Sequence, residues 1–163
     1  QSRQTMPLET PFTRILVPTD GSDNSNHAGR LATVMSGIHN AKLTIAYVVD
    51  DTIVDEIASA TGKNRESTIR ELEEKGKRYV DYIARIAERN DVRHEEVIRN
   101  GTPYREIADL AREIDARLIV IGRVGCRGPR CALVGSVAER VIEYAPCPVL
   151  VVNQDPGSLS PRR

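Results

Sequence analysis

The sequence predicts a doubly wound α/β fold, a single five-stranded parallel sheet with helices on both faces. Three observations carry this. Short apolar runs rich in β-branched residues alternate along the chain with stripes at helical spacing. Five such alternations need parallel strands joined by helical crossovers. No internal repeat or composition break divides the chain, and 163 residues, 40% of them hydrophobic, suffice for one buried core.

In chain order, residues 1–12 read as a flexible leading segment and 13–153 as the folded domain. The first strand is Arg14–Pro18, an apolar run closed by proline. Ala28, Leu31, Ala32, Met35 and Ile38 then form a helical stripe. Lys42–Val49 is the second strand. Its sequel, Asp50-Asp51, reads as a solvated acidic loop. Ile69, Leu72, Tyr79, Val80, Ile83, Ile86 and Ala87 mark the next helix. Val92–Ile98 is a weaker strand, with His94, Glu95 and Glu96 inside it. Thr102 then reads as a helix cap, with Pro103 at the first helical position and Ile107, Leu110, Ala111 and Ile114 behind. Leu118–Ile121 is a strand of the buried type. Gly135-Ser136 opens the last helix, carrying Val137, Val141 and Ile142. Cys147–Val152 closes the series, with Cys147 expected in the core, and 154–163 reads as a flexible tail.

The charged third strand belongs at an edge and the apolar ones inside. The economical order is therefore 3-2-1-4-5. Winding reverses between strands 1 and 4, and ligands of open α/β sheets bind outside the carboxyl ends of the strands at such a reversal. The site is expected after Pro18 and after Ile121.

Composition narrows the function classes. Lys+Arg and Asp+Glu are both 23, so no bulk charge draws the chain to nucleic acid or to an anionic membrane. Trp is absent and Phe occurs once, leaving few stacking platforms for single strands. No apolar run approaches a membrane helix, and the opening residues lack the apolar middle of a secretory leader. Three cysteines without tight pairing fit a reducing, cytoplasmic setting.

After the fourth strand comes Gly122-x2-Gly125-x9-Gly135-Ser136-Val137. Glycines at 122 and 125 let backbone turn sharply and approach a ligand closely. Free amides and the helix dipole at Gly135-Ser136 favour an anion, and the hydroxyl adds a donor. The same residues also suit a plain surface loop before a Ser-capped helix. Placement at the winding reversal favours the phosphate cradle.

This spacing resembles the ATP-binding signature of the universal stress protein family. Ile15–Ser22, Ala46–Asp50 and Gly135–Val152 are similar to other segments of that family, so the resemblance covers roughly residues 12 to 153. It implies an adenine nucleotide alpha hydrolase-like fold and an ATP-binding regulatory module acting in stress response as a homodimer. Asp20 would contact the ribose, with Pro18 and Thr19 lining that side. Val48 would present backbone to the adenine edge, with Ile121 packing nearby. Gly122, Gly125, Gly135, Ser136 and Val137 would hold the phosphates, with Mg or Mn resting mainly on phosphate oxygens.

Departures from the family pattern sit between the glycines. Arg123 replaces a commonly small residue. Arg127 and Arg130 flank Gly128-Pro129 and either meet the terminal phosphates or stay solvated. Cys126 and Cys131 lack the further ligands a zinc site needs. Asp20 also suits an Asx turn, since Asp-Gly-Ser is good turn chemistry.

No nucleophile elbow, P-loop or water-activating group is visible, so nucleotide binding is better supported than efficient catalysis. The alternatives are a slow Mg-dependent ATPase or related adenine-nucleotide hydrolase, and a nucleotide-free interaction dimer. The fifth strand, Val149, Leu150, Val151 and Val152, is an edge without charged protection, and antiparallel pairing with a second copy would cover it.

Overall fold

In the computed structural model, residues 12–123 and 134–153 are described. Strand β1 is Arg14–Pro18, followed by helix α1, Asp23–His39. Then come β2 (Lys42–Asp50), α2 (Asp51–Thr61), α3 (Arg65–Arg89) and β3 (His94–Gly101). The chain ends in α4 (Pro103–Glu113), β4 (Leu118–Gly122), α5 (Ser136–Tyr144) and β5 (Val149–Val152). The strands pair in parallel in the order β3-β2-β1-β4-β5, as the charge and hydropathy pattern predicts.

Strand alternation divides the core. Ile15 and Val17 face one side of the sheet, where they pack with Ala28 and Ala32 of α1 and with Val80 and Ile83 of α3. Leu16 faces the other, against Ile107, Leu110 and Ala111 of α4 and Ala138 and Val141 of α5. Both faces of β1 and β4 are thus buried, which is why these strands are uninterrupted apolar runs.

Several elements depart from the sequence expectation. The sequence marks no helix where α2 stands and reads only Asp50-Asp51 there, as an acidic loop. The start of α2 is fixed by Asp50, whose carboxylate accepts the Thr52 N–H at 2.9 Å, and its end by Gly62 at φ 69°. Arg65 then ties it to α3 through Asp55 at 3.0 Å and Asp51 at 3.3 Å. Asp50 and Asp51 are therefore a cap and an ion-pair partner rather than free loop acids. On α1 the buried stripe is Ser25, Ala28, Gly29, Ala32, Thr33 and Ser36. Leu31 and Met35 only flank the core, and Ile38 is 73% exposed. Small side chains face the sheet because α1 lies close to α3: a Cβ on Gly29 would sit 2.7 Å from Ile83.

Thr102 stands at the N-cap of α4 without a side-chain cap bond, and Pro103 occupies the first turn. Gly135, not Ser136, is the N-cap of α5, and Ile142 is exposed. β3 starts two residues late, and Val92 is buried just before it. Cys147 lies two residues ahead of β5, half-buried against the α4–α5 cluster, where burial pushes its thiol pKa up. Phe12, assigned to the leading segment, packs on the α1–α3 core and meets the His39 ring edge-on at 5.4 Å. No helix among the described residues is long and apolar enough to cross a membrane.

Candidate functional site

β2 overhangs its neighbour. β1 ends at Pro18, opposite Ala46, while β2 runs on to Asp50 beside β3. Thr19 N–H makes the last bond on that side, to the Ala46 carbonyl at 2.8 Å. Alternation turns the backbone N–H and C=O of Val48 the same way, toward the side where β1 has ended. The notch so formed opens into a cleft of about 530 Å³ at the carboxyl ends of β1, β2 and β4, where the winding reverses. That is the size and placement of a small-ligand site.

The turn after β1 shapes one wall. Asp20 Oδ1 accepts the Ser22 N–H at 2.9 Å, so Asp20 forms an Asx turn and lines the cleft as well. Thr19 is buried, with its hydroxyl 3.0 Å from Ser25 Oγ and accepting the Gly21 N–H at 3.1 Å. Gly21 has φ 80°, and a Cβ there would lie 2.5 Å from the Tyr79 ring. Both the left-handed backbone and the approach of Tyr79 require glycine.

Gly122, which lines the cleft, also meets a packing requirement that its spacing does not suggest. A Cβ on it would lie 2.5 Å from the Asn24 carbonyl carbon and 2.7 Å from the Ser25 nitrogen. Its missing side chain admits the first turn of α1 against the end of β4.

The structure brings Pro18, Thr19, Asp20, Val48, Ile121, Gly122 and Val137 together around the cleft, with Arg123 and Ala138. Gly135 and Ser136 directly precede Val137 at the start of α5 and are not among the residues lining the cleft. Gly125, Arg127 and Arg130, with Cys126 and Cys131, lie outside the described residues, as do 1–11 and 154–163. α4 and α5 both start without a side-chain cap bond, and both present first-turn residues to the cleft, Pro103 from one and Val137 and Ala138 from the other.

Sequence reasoning missed the opposite wall. Tyr47, Asp50, Ile53, Ile57, Leu72, Lys75 and Tyr79 line it from β2, α2 and α3. Tyr47 and Tyr79 meet edge to face, with centroids 5.8 Å apart. Burial first, then the nearby charges of Tyr79, Asp20 and Asp50, hold the Tyr47 phenol above its ordinary value. A Cβ on Gly76 would lie 2.0 Å from the Tyr47 ring, so α3 passes directly over it. That glycine was the available signal: in a helix interior it is destabilising by about 1 kcal/mol relative to alanine, and a close approach is the usual reason to keep one.

Comparison with known proteins agrees with this architecture. The universal stress protein MJ0531 of Methanocaldococcus jannaschii is 36% identical over 147 residues, which are 90% of this chain and 85% of that protein. The solved universal stress protein UspA of Lactobacillus plantarum superposes with a TM-score of 0.66 at 29% identity, covering 87% of this chain and 98% of that one. A universal stress protein crystallised in complex with cAMP superposes with a TM-score of 0.59 at 28% identity, covering 87% of this chain and 97% of that one. Residues 11–153 match the sequence profile of the Universal stress protein family, and with these relatives the match shows that the chain belongs to that family.

Proposed function

We propose that the chain is an ATP-binding regulatory module acting as a homodimer, with the nucleotide in the cleft at the winding reversal. The observation that carries this is the overhang of β2. Past Pro18 the Val48 backbone offers a donor and an acceptor side by side, the pattern that reads a base edge, between apolar walls from Ile107 and Ile121. Asp20 supplies an acceptor for a ribose hydroxyl at the adjoining turn.

The phosphates go to the start of α5. Its first N–H groups have no side-chain cap, and the helix dipole adds partial positive charge there. Gly135, Ser136 and Val137 would supply amides and a hydroxyl, with Gly125, Arg127 and Arg130 extending the cradle. Among the described residues no three His, Cys, Asp or Glu side chains gather as metal ligands. Mg or Mn would therefore rest mainly on phosphate oxygens, neutralising their charge when bound. The cAMP complex of a relative supports a nucleotide as the ligand class.

The test is calorimetry with Mg-ATP on the parent and on Gly135→Val, together with mass spectrometry of the gently purified protein for adenine nucleotide. The parent is expected to bind. The variant should lose at least about 1.5–3 kcal/mol, the range for one charge-assisted hydrogen bond, with an unchanged circular dichroism spectrum. Equal binding by a folded variant refutes the cradle.

A further inference from the structure

The nucleotide as placed above leaves one wall of the cleft without a role, the one made by Tyr47, Asp50, Ile53, Ile57, Leu72, Lys75 and Tyr79. Five of these are apolar or aromatic, and Ile53 remains 44% exposed while facing the cleft. The other two are Asp50, whose carboxylate caps α2, and a cation, Lys75. The geometry points to a second anion position there: Lys75 takes a phosphate carried on a ribose hydroxyl of the bound adenine nucleotide. This rests on the nucleotide reading above and adds to it the class of nucleotide preferred.

The placement of Lys75 follows from how α3 is seated. Gly76 lies on the Tyr47 ring, and Tyr79, one turn on, lies on Gly21. Lys75 precedes the first and stands four residues before the second, which sets it on the face of α3 that lines the cleft, at its exposed rim. With a ribose hydroxyl at Asp20, a substituent on the neighbouring hydroxyl extends toward the Tyr79–Lys75 lip.

Among the described residues the charge of Lys75 is also uncommitted. Glu71, its ordinary i,i+4 partner, is held instead by Lys63 at 2.7 Å. Among the described residues Lys75 makes no ion pair. Asp20 and Asp50 line the same cleft and would repel a phosphate on the sugar. Lys75 is the group on that wall able to offset them.

The experiment compares AMP with adenosine 3′,5′-bisphosphate and its 2′,5′ isomer by calorimetry, on the parent and on Lys75→Gln. In the parent, one bisphosphate isomer should bind about tenfold tighter than AMP, one charge-assisted contact's worth. Lys75→Gln should weaken AMP far less than the bisphosphate and make the same bisphosphate weaker than AMP, because the two aspartates remain. AMP binding without preference for either bisphosphate overturns this proposal alone. So does an equal loss of AMP and bisphosphate in the variant. Absence of both AMP and ATP binding in the parent removes the nucleotide reading and this one with it. Lys75 is exposed, so the variant is expected to fold, and circular dichroism checks that.

Discussion

Replacing Gly122 by alanine separates two accounts of the same glycine. If it serves only close approach of a phosphate, Gly122→Ala harms binding and leaves stability alone. The structure implies otherwise. The new Cβ would start 2.5 Å from the Asn24 carbonyl carbon and 2.6 Å from its oxygen. An unstrained carbon contact is about 3.5–4.0 Å, so the first turn of α1 or the end of β4 must move by about 1 Å. Both are backbone, and neither yields as a side-chain tip would. Overpacking of this kind costs about 1–3 kcal/mol. With a urea m-value of about 2 kcal/mol/M, the unfolding midpoint falls by about 0.5–1.5 M. The same shift displaces Ser25, which packs on Thr19 in the cleft wall, so ATP affinity falls too. Urea titration followed by circular dichroism reads the first effect and calorimetry the second. An unchanged midpoint with weakened binding would refute the packing account and restore Gly122 to the ligand.

Two other expectations concern the cleft. The raised Tyr47 pKa means that the folded state favours the neutral phenol, so that contribution is complete below the ordinary value of 10.0 and is lost as pH rises through the folded value. Between about pH 9 and about pH 11 the parent should lose more stability to urea than Tyr47→Phe does; equal losses contradict the assignment. Magnesium-dependent ATP turnover should stay below about 1 s⁻¹, because Asp20 is assigned to the ribose and Asp50 caps α2, so neither is placed to orient a water at the terminal phosphate; a faster steady state would favour the hydrolase reading.

The sheet order was legible because charge and burial demand one arrangement. Glu95 and Glu96 exclude β3 from the interior, and the runs around Leu16 and Ile119 demand cover on both faces. α2 was not legible. It buries Val54 alone among its residues, and its stability comes from an aspartate cap, a terminal glycine and the Arg65 pairs, which read in sequence as an acidic loop. The α1 stripe was read in part: Ala28 and Ala32 are buried as expected, but apolar size also marks Leu31, Met35 and Ile38, whereas a close crossing selects small residues such as Gly29. In the cleft, the residues at strand ends were found because the winding reversal locates strand ends. The α3 wall was missed because Lys75 and Tyr79 reach the site through the packing of a long helix, and strand order does not specify that.

The edge at β5 bears on assembly differently from the way its sequence suggested. The apolar run Val149–Val152 reads as an exposed sticky edge, yet the two faces absorb most of it. Val149 and Val151 pack with the α4–α5 cluster, Val152 is buried with α1 and α3, and Leu150 is left 36% exposed. Among the described residues, what remains open is backbone. Ile119 N–H donates to the Pro148 carbonyl at 3.0 Å and Arg123 N–H to the Val152 carbonyl at 2.8 Å. Even-numbered residues of β5 therefore bond to β4, and the N–H and C=O of Val149 and Val151 point outward. An antiparallel copy of the same strand would satisfy both and close the assembly. Val151→Pro removes one outward donor without touching the β4 ladder, and edge strands tolerate proline. It should yield folded monomer, whereas Leu150→Pro, which breaks a bond to β4, should lose the fold. Size-exclusion chromatography with light scattering at micromolar concentration decides this. A parent that is monomeric there, or a Val151→Pro variant that stays dimeric, would mean that β5 is not the joint.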